Sequence, residues 1–175
     1  NHKELADEPF TEQVKKLADI YPIQNLVVKS LEYRQDKNPS PVATEKISFS
    51  SRNYGAVSDN KIYLHLNSIN KLNDVPKEVR NRVNPVCINR GYYDEDEYTF
   101  ELPSNSRIDS RPEDYFIEKP FGSYAAQITV EGNMITYKRK MQINDGMYPA
   151  DQYDDLVNFL QLVKDADNSR LVLAK

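Results

Sequence analysis

The sequence predicts a mainly β protein: an antiparallel β-sandwich with an N-terminal helix and a C-terminal helix followed by a short strand. Three observations lead there. Apolar residues alternate with period two through most of the chain. A Gly132-Asn133 pair separates two long alternating runs, as in a β-hairpin. A helical period appears only near each end.

The first element is a helix within residues 7–21, "DEPFTEQVKKLADIY". Asp7 can cap it, and Pro9 then falls in the first turn, where its missing N–H breaks no intrahelical bond. Phe10, Val14, Leu17 and Tyr21 share one apolar stripe, and Pro22 ends the helix. The period then changes to two. Ile47 and Phe49 point one way in "EKISFS", opposite Lys46, Ser48 and Ser50. Ile62, Leu64 and Leu66 in "KIYLHL" oppose Tyr63 and His65, and Tyr98, Phe100 and Leu102 alternate with Thr99 and Glu101. These are half-buried strands of the kind antiparallel sheets use.

The hairpin sets Tyr124, Ala126, Ile128 and Val130 against Ile135, Tyr137, Met141 and Ile143, with the turn at Gly132-Asn133. Both turn residues tolerate positive φ. In "YPADQYDDLVNFLQLVKDAD", Tyr153, Leu156, Leu160 and Val163 then lie on one helical face with Phe159 beside it. Asp151, Asp154 and Asp155 sit at its start, where the helix dipole favours negative charge. "RLVLA" reads as a last short strand. Residues 1–21 form a helical connection and residues 22–175 a single β-sandwich-like domain.

The 175 residues suffice for a real core, hiding about 70% of the extended chain's surface. Basic residues number 23 and acidic ones 27, with no basic stripe, which argues against nucleic acid as a partner. KRK at 138–140 is the densest basic spot, and a solvated sheet edge is the better reading of it. No apolar run approaches the ~20 residues of a membrane span, so no membrane insertion is expected. The chain begins without Met, as a processed or excised piece would.

Candidate chemistry is sparse. Cys87, the single cysteine, lies in the β-like "NPVCINRG" and not at a helix start, where a thiol's pKa falls. The possible bases are His2, near the terminus, and His65, on the polar side of a strand. Cys87 therefore reads as structural. The run Asp94, Glu95, Asp96, Glu97 has the density of a calcium loop without its order, because Tyr98 stands where the third donor belongs. It reads instead as a solvated turn between strands. One cysteine and two histidines lack zinc spacing, five glycines make no phosphate loop, and no carboxylate pair is singled out. No catalytic, cofactor-binding or metal-binding residue is assigned, and no cofactor is expected. The 12 tyrosines are a surplus that could serve a sugar platform. Tyr98, Tyr124 and Tyr137 fall on inner faces, whereas Tyr92, Tyr93, Tyr148 and Tyr153 stay open between core and platform.

Three strings together carry a resemblance: "RNRVNPVCINRGYYDEDEYTFELPSNSRIDSRPED", "FGSYAAQITVEGNMITYKRKMQINDGMYP" and "YDDLVNFLQLVKDADNSRLVLAK". Their order is a strand leading to "LP", a proline soon after, an "FG-Y" strand, a Tyr-x-Arg strand and a terminal Tyr–helix–Asp–strand ending in "VL". Over about residues 20–175 the chain resembles the C-terminal β domain of envelope proteins typical of Bacteroidetes, which carry a transglutaminase-like core of the papain-type cysteine-peptidase fold. That core uses Cys, His and Asp in chain order. Here His65 precedes Cys87 and no histidine follows, so the triad cannot be laid on this chain. The resemblance implies a noncatalytic accessory domain, periplasmic or in the cell envelope, whose partner is the transglutaminase-like domain upstream in the same polypeptide. The alternative is a cell-surface module binding glycan or protein.

Arg139 alternates with Tyr137 and Met141, on the apolar side of the hairpin. A buried guanidinium is costly unless paired. A carboxylate or backbone-carbonyl partner is expected for it, unless the strand end lets it reach water.

Overall fold

A computed structural model describes residues 9–174, apart from 22, 37, 38, 40 and 53. Asp7, His2 and Pro22 lie outside the described residues. The architecture is mainly β, with antiparallel sheets, an N-terminal helix and a C-terminal helix followed by a strand. Two compact units are present, one ending at Tyr54 and one starting at Gly55.

The first unit holds α1 (Phe10–Ile20), β1 (Leu26–Asp36) and β2 (Val42–Ser51). Pro9 is the residue before the helix, not a member of its first turn, and its carbonyl accepts the N–H groups of Glu12 and Gln13. Burial increases along the predicted stripe, from exposed Phe10 through half-buried Val14 to buried Leu17 and Tyr21. Tyr21 turns to extended backbone, which ends the helix, and its hydroxyl donates to Glu45. β1 and β2 pair antiparallel, with Leu31 opposite Ile47 and Val28 opposite Phe49.

The short strands of the second unit include β3 (Ala56–Ser58), β4 (Lys61–His65), β5 (Val86–Ile88) and β7 (Arg107–Ser110). The unit also has the longer β6 (Tyr92–Glu101), then β8 (Tyr115–Lys119), β9 (Gly122–Glu131), β10 (Met134–Ile143) and β11 (Gly146–Tyr148). α2 (Tyr153–Asp167) and β12 (Arg170–Ala174) close the chain. One four-stranded sheet runs β3-β4-β12-β7 and another β6-β10-β9-β8, while β5 and β11 pair separately.

The β9–β10 hairpin forms with Glu131 opposite Met134, so that Gly132 and Asn133 are its two loop residues. Gly132 takes φ +61° and Asn133 does not take positive φ, as in turns that want glycine first. Asn133 also holds the end of β6, exchanging its carbonyl and side-chain amide with the Leu102 backbone. Tyr124, Ala126, Ile128, Ile135, Tyr137, Met141 and Ile143 are buried as predicted, whereas Val130, beside the turn, is 37% exposed. In the other sheet Leu64 and Leu171 face each other, both buried. α2 buries Tyr153, Leu156, Phe159 and Val163, and Val157 besides, with Leu160 half-buried at the margin.

Two expectations about charge need correction. The Asp94–Glu97 run is not a turn, because it lies inside β6 and pairs with β10. KRK is not at a sheet edge either, because β10 runs between β6 and β9. The two runs compensate each other in register: Glu97 faces Lys138, Asp96 faces Arg139 and Glu95 faces Lys140. Lys138–Glu97 and Lys140–Glu95 are 3.2 Å ion pairs on the exposed face. Exposed pairs of this kind add little stability because solvent screens them, but they let a strand accept four adjacent carboxylates.

Candidate functional site

The pleat of β6 and β10 sends Asp96 and Arg139 to the buried face, where the other polar groups of the second unit collect. Arg139 is 2% exposed and Asp167 1%. Asp167 ends α2, where the helix dipole disfavours a carboxylate, so this position requires donors. It has five. Arg139 Nε at 2.8 Å, Tyr124 Oη at 2.9 Å and Asn67 Nδ2 at 3.1 Å reach Oδ1. Arg139 Nη2 at 3.2 Å and the Leu72 N–H at 2.9 Å reach Oδ2. The guanidinium thus grips Asp167 side-on through two nitrogens, and its Nη1 donates to Asp96 Oδ2 at 2.8 Å. The expected carboxylate partner of Arg139 is there twice.

The surrounding groups are equally committed. Asn70 Nδ2 donates to Asp96, and Asn67 Oδ1 accepts from the Asn70 N–H and the Tyr98 hydroxyl. Since Tyr124 gives its proton to Asp167, Tyr137 is left as the donor in the 3.3 Å contact between the two hydroxyls. Burial opposes the Arg139 charge, but the hydrogen bond and charge of Asp167, with Asp96, outweigh it and hold its pKa above the ordinary value. Burial pushes the Asp96 carboxyl up, against the pull of Arg139 and Asn70. Burial raises both phenols as well, keeping Tyr124 and Tyr137 protonated as donors.

This network also orders an irregular stretch, residues 66–85, which carries no strand or helix. Leu72 is tied to Asp167, Lys77 O accepts from Tyr153 Oη at 2.7 Å, and the Arg82 guanidinium lies 4.4 Å from the Tyr153 ring centre. Long loops without secondary structure need such ties to remain in a compact domain.

The residues weighed for chemistry are placed differently. Cys87 is exposed on β5 opposite Met147, and its thiol donates to Asn89 Oδ1 at 3.1 Å. His65 is half-buried on β4, with its Nδ1 3.2 Å from Lys71 Nζ. Asp94 and Asp96 turn inward while Glu95 and Glu97 turn outward, so the run cannot close around one cation. The open tyrosines part company too. Tyr92 contacts Met141 sulfur, Tyr93 donates to Glu95, Tyr148 packs edge-on against Phe121 and Tyr153 is buried under Lys77 O.

Residues 60–173 match the family described as DUF3858, a domain of unknown function with a solved structure. The chain belongs to this family. The DUF3858 match takes in Asn67, Asp96, Arg139 and Asp167, hence the whole buried network, and leaves α1, β1 and β2 outside. A solved structure from Parabacteroides distasonis, named as a candidate protease, is similar at 20% identity and a TM-score of 0.47. That likeness covers 56% of this chain and 20% of the other. No curated protein matches.

Sequence reasoning found Arg139 but missed Asp167 as its partner. The signal present was the Asp between the last helix and strand, together with the mirrored DEDE and KRK runs.

His65 gives a pH-dependent expectation. Burial lowers its imidazole below the ordinary value, and the Lys71 and Arg170 charges add to this. The fold therefore disfavours the protonated form relative to the unfolded chain. The stability it contributes is full above about pH 6.5 and is lost as pH falls toward the lower folded value. His65→Gln removes that dependence. Denaturant unfolding of parent and variant between about pH 7.5 and 5 should show the parent losing ground on acidification. A constant difference would contradict this.

Proposed function

We propose that this chain is a noncatalytic accessory β domain. It supports, orients or supplies binding surface to a transglutaminase-like core elsewhere in the same secreted or periplasmic polypeptide. The observation that carries this reading is the saturation of the buried cluster. Asp167 accepts five hydrogen bonds, and Arg139 commits Nε, Nη1 and Nη2 to two carboxylates and the Met141 sulfur, at 3.2 Å, so the buried heart of this constellation is occupied with itself and only Asp96, 18% exposed, borders solvent. A reactive carboxylate or guanidinium needs a free face and a cleft beside it. The transglutaminase-like partner and the envelope location come from the resemblance over residues 20–175. Among the described residues no helix is long and apolar enough to cross a membrane.

The test uses the full polypeptide that contains this chain, assayed for peptide hydrolysis and glutamine acyl transfer. The double variant Cys87→Ser, His65→Gln should retain the parent's activity, because the nucleophile and base lie in other residues. Loss of activity in that variant would refute the noncatalytic reading. A polypeptide without any transglutaminase-like segment would refute the accessory one.

A further inference from the structure

Strand β9 outruns its neighbour. β8 pairs with Gly122–Ala126, and Gln127–Glu131 continue along β10 with no strand on the other side. In an antiparallel ladder the N–H and C=O of one residue point the same way, alternating between neighbours. Those of Ile128 point away from β10: its N–H donates to Asp114 Oδ1 at 3.0 Å and its carbonyl accepts from Arg111 Nη1 at 2.9 Å. Val130, two residues on, turns its N–H and C=O to the same side. The hairpin agrees, since Glu131 and Met134 close a two-residue loop and Val130 opposite Ile135 is then a pair that exchanges no hydrogen bonds.

Beside this stretch runs β7, the last strand of the other four-stranded sheet. Between them opens a cleft of about 680 Å³, lined by Ile108–Arg111 and Ile128–Val130. It is broad and open to solvent, a shallow groove and not an enclosed cavity. Asp114 and Arg111 offer Ile128 one acceptor and one donor, the same pair a strand residue offers, and Val130 lacks any such substitute among the described residues. The opposite edge of this sheet is guarded by the four carboxylates of β6, whereas Ile128, Thr129 and Val130 carry no charge. Asp109 and Arg111 line the same cleft, and the open backbone pair on this edge, that of Val130, is where another strand can add.

We propose that this cleft binds an extended polypeptide strand, which adds to β9 at Val130 and lies alongside β7. The strand is held by main-chain hydrogen bonds, with half-buried Ile108 and part-exposed Val130 seating its alternate side chains. Recognition is therefore tolerant of sequence but demands free backbone N–H groups. The inference does not depend on the presence of a transglutaminase-like core.

The test is a titration of the ¹⁵N-labelled chain with a capped hexapeptide of alternating threonine and valine, up to about 1 mM. Amide shifts should change at Ile108–Arg111 and Thr129–Glu131, and exchange of the Val130 N–H should slow. Val130→Pro removes one outward donor without touching the β10 ladder and should weaken binding roughly tenfold. The same peptide N-methylated at every residue should fail to bind the unaltered chain, a comparison that needs no variant to fold. Shifts confined to other residues, no shifts at all, or equal binding by the methylated peptide would overturn the proposal.

Discussion

Asp167→Ala is expected to lower the unfolding free energy by about 3–5 kcal/mol, as measured by denaturant unfolding. The carboxylate is buried at the end of α2, and its removal strands the Arg139 Nε and Nη2, the Tyr124 hydroxyl, Asn67 Nδ2 and the Leu72 N–H together. Water cannot reach most of these groups, so the cost is desolvation left uncompensated and not merely lost attraction. Asp96 remains beside Arg139, but it is 18% exposed and holds only Nη1. Asp167→Asn keeps an acceptor and loses the charge, and should fall between parent and alanine. The exposed pairs Lys138–Glu97 and Lys140–Glu95 provide the contrast, because breaking either should leave the unfolding free energy nearly unchanged.

Gly122→Ala is expected to cost about 3 kcal/mol or more, through backbone and not through charge. Gly122 opens β9 at φ +152°, a region that side-chain-bearing residues rarely adopt. A Cβ there would fall 1.9 Å from the Gln142 carbonyl oxygen, which is fixed in the β10 ladder and cannot swing aside. The turn glycine Gly132 meets nothing within 4 Å of an added Cβ, so Gly132→Ala should bear only the smaller penalty of its φ. Thermal unfolding of the two variants would rank them, and equal losses would show that the close approach at Gly122 is relieved.

Much of this fold could be read from periodicity. The hairpin, both helices and the closing strand follow from spacing alone, because each buries one face against a core. The DEDE run could not be read that way, since four carboxylates look like a turn until their partners are known. Those partners are the three basic residues of KRK, more than 40 positions later, and side-chain propensity carries no information at that distance. Arg139 was legible because its place between Tyr137 and Met141 forced it inward. Asp167 was not, because a helix-terminal carboxylate is ordinarily solvated and nothing local reveals that Tyr124, Asn67 and Leu72 converge on it. The cleft beside β9 depends on which strand stops first, a property of the sheet and not of any residue pattern.

The double-mutant cycle of Arg139→Ala and Asp167→Ala bears most directly on whether this cluster is a structural clasp. If it is, each single variant loses stability heavily while the pair loses far less than the two together, giving a coupling of about 2 kcal/mol or more. Two losses that simply add would mean the carboxylate and the guanidinium act independently, and the clasp would not exist.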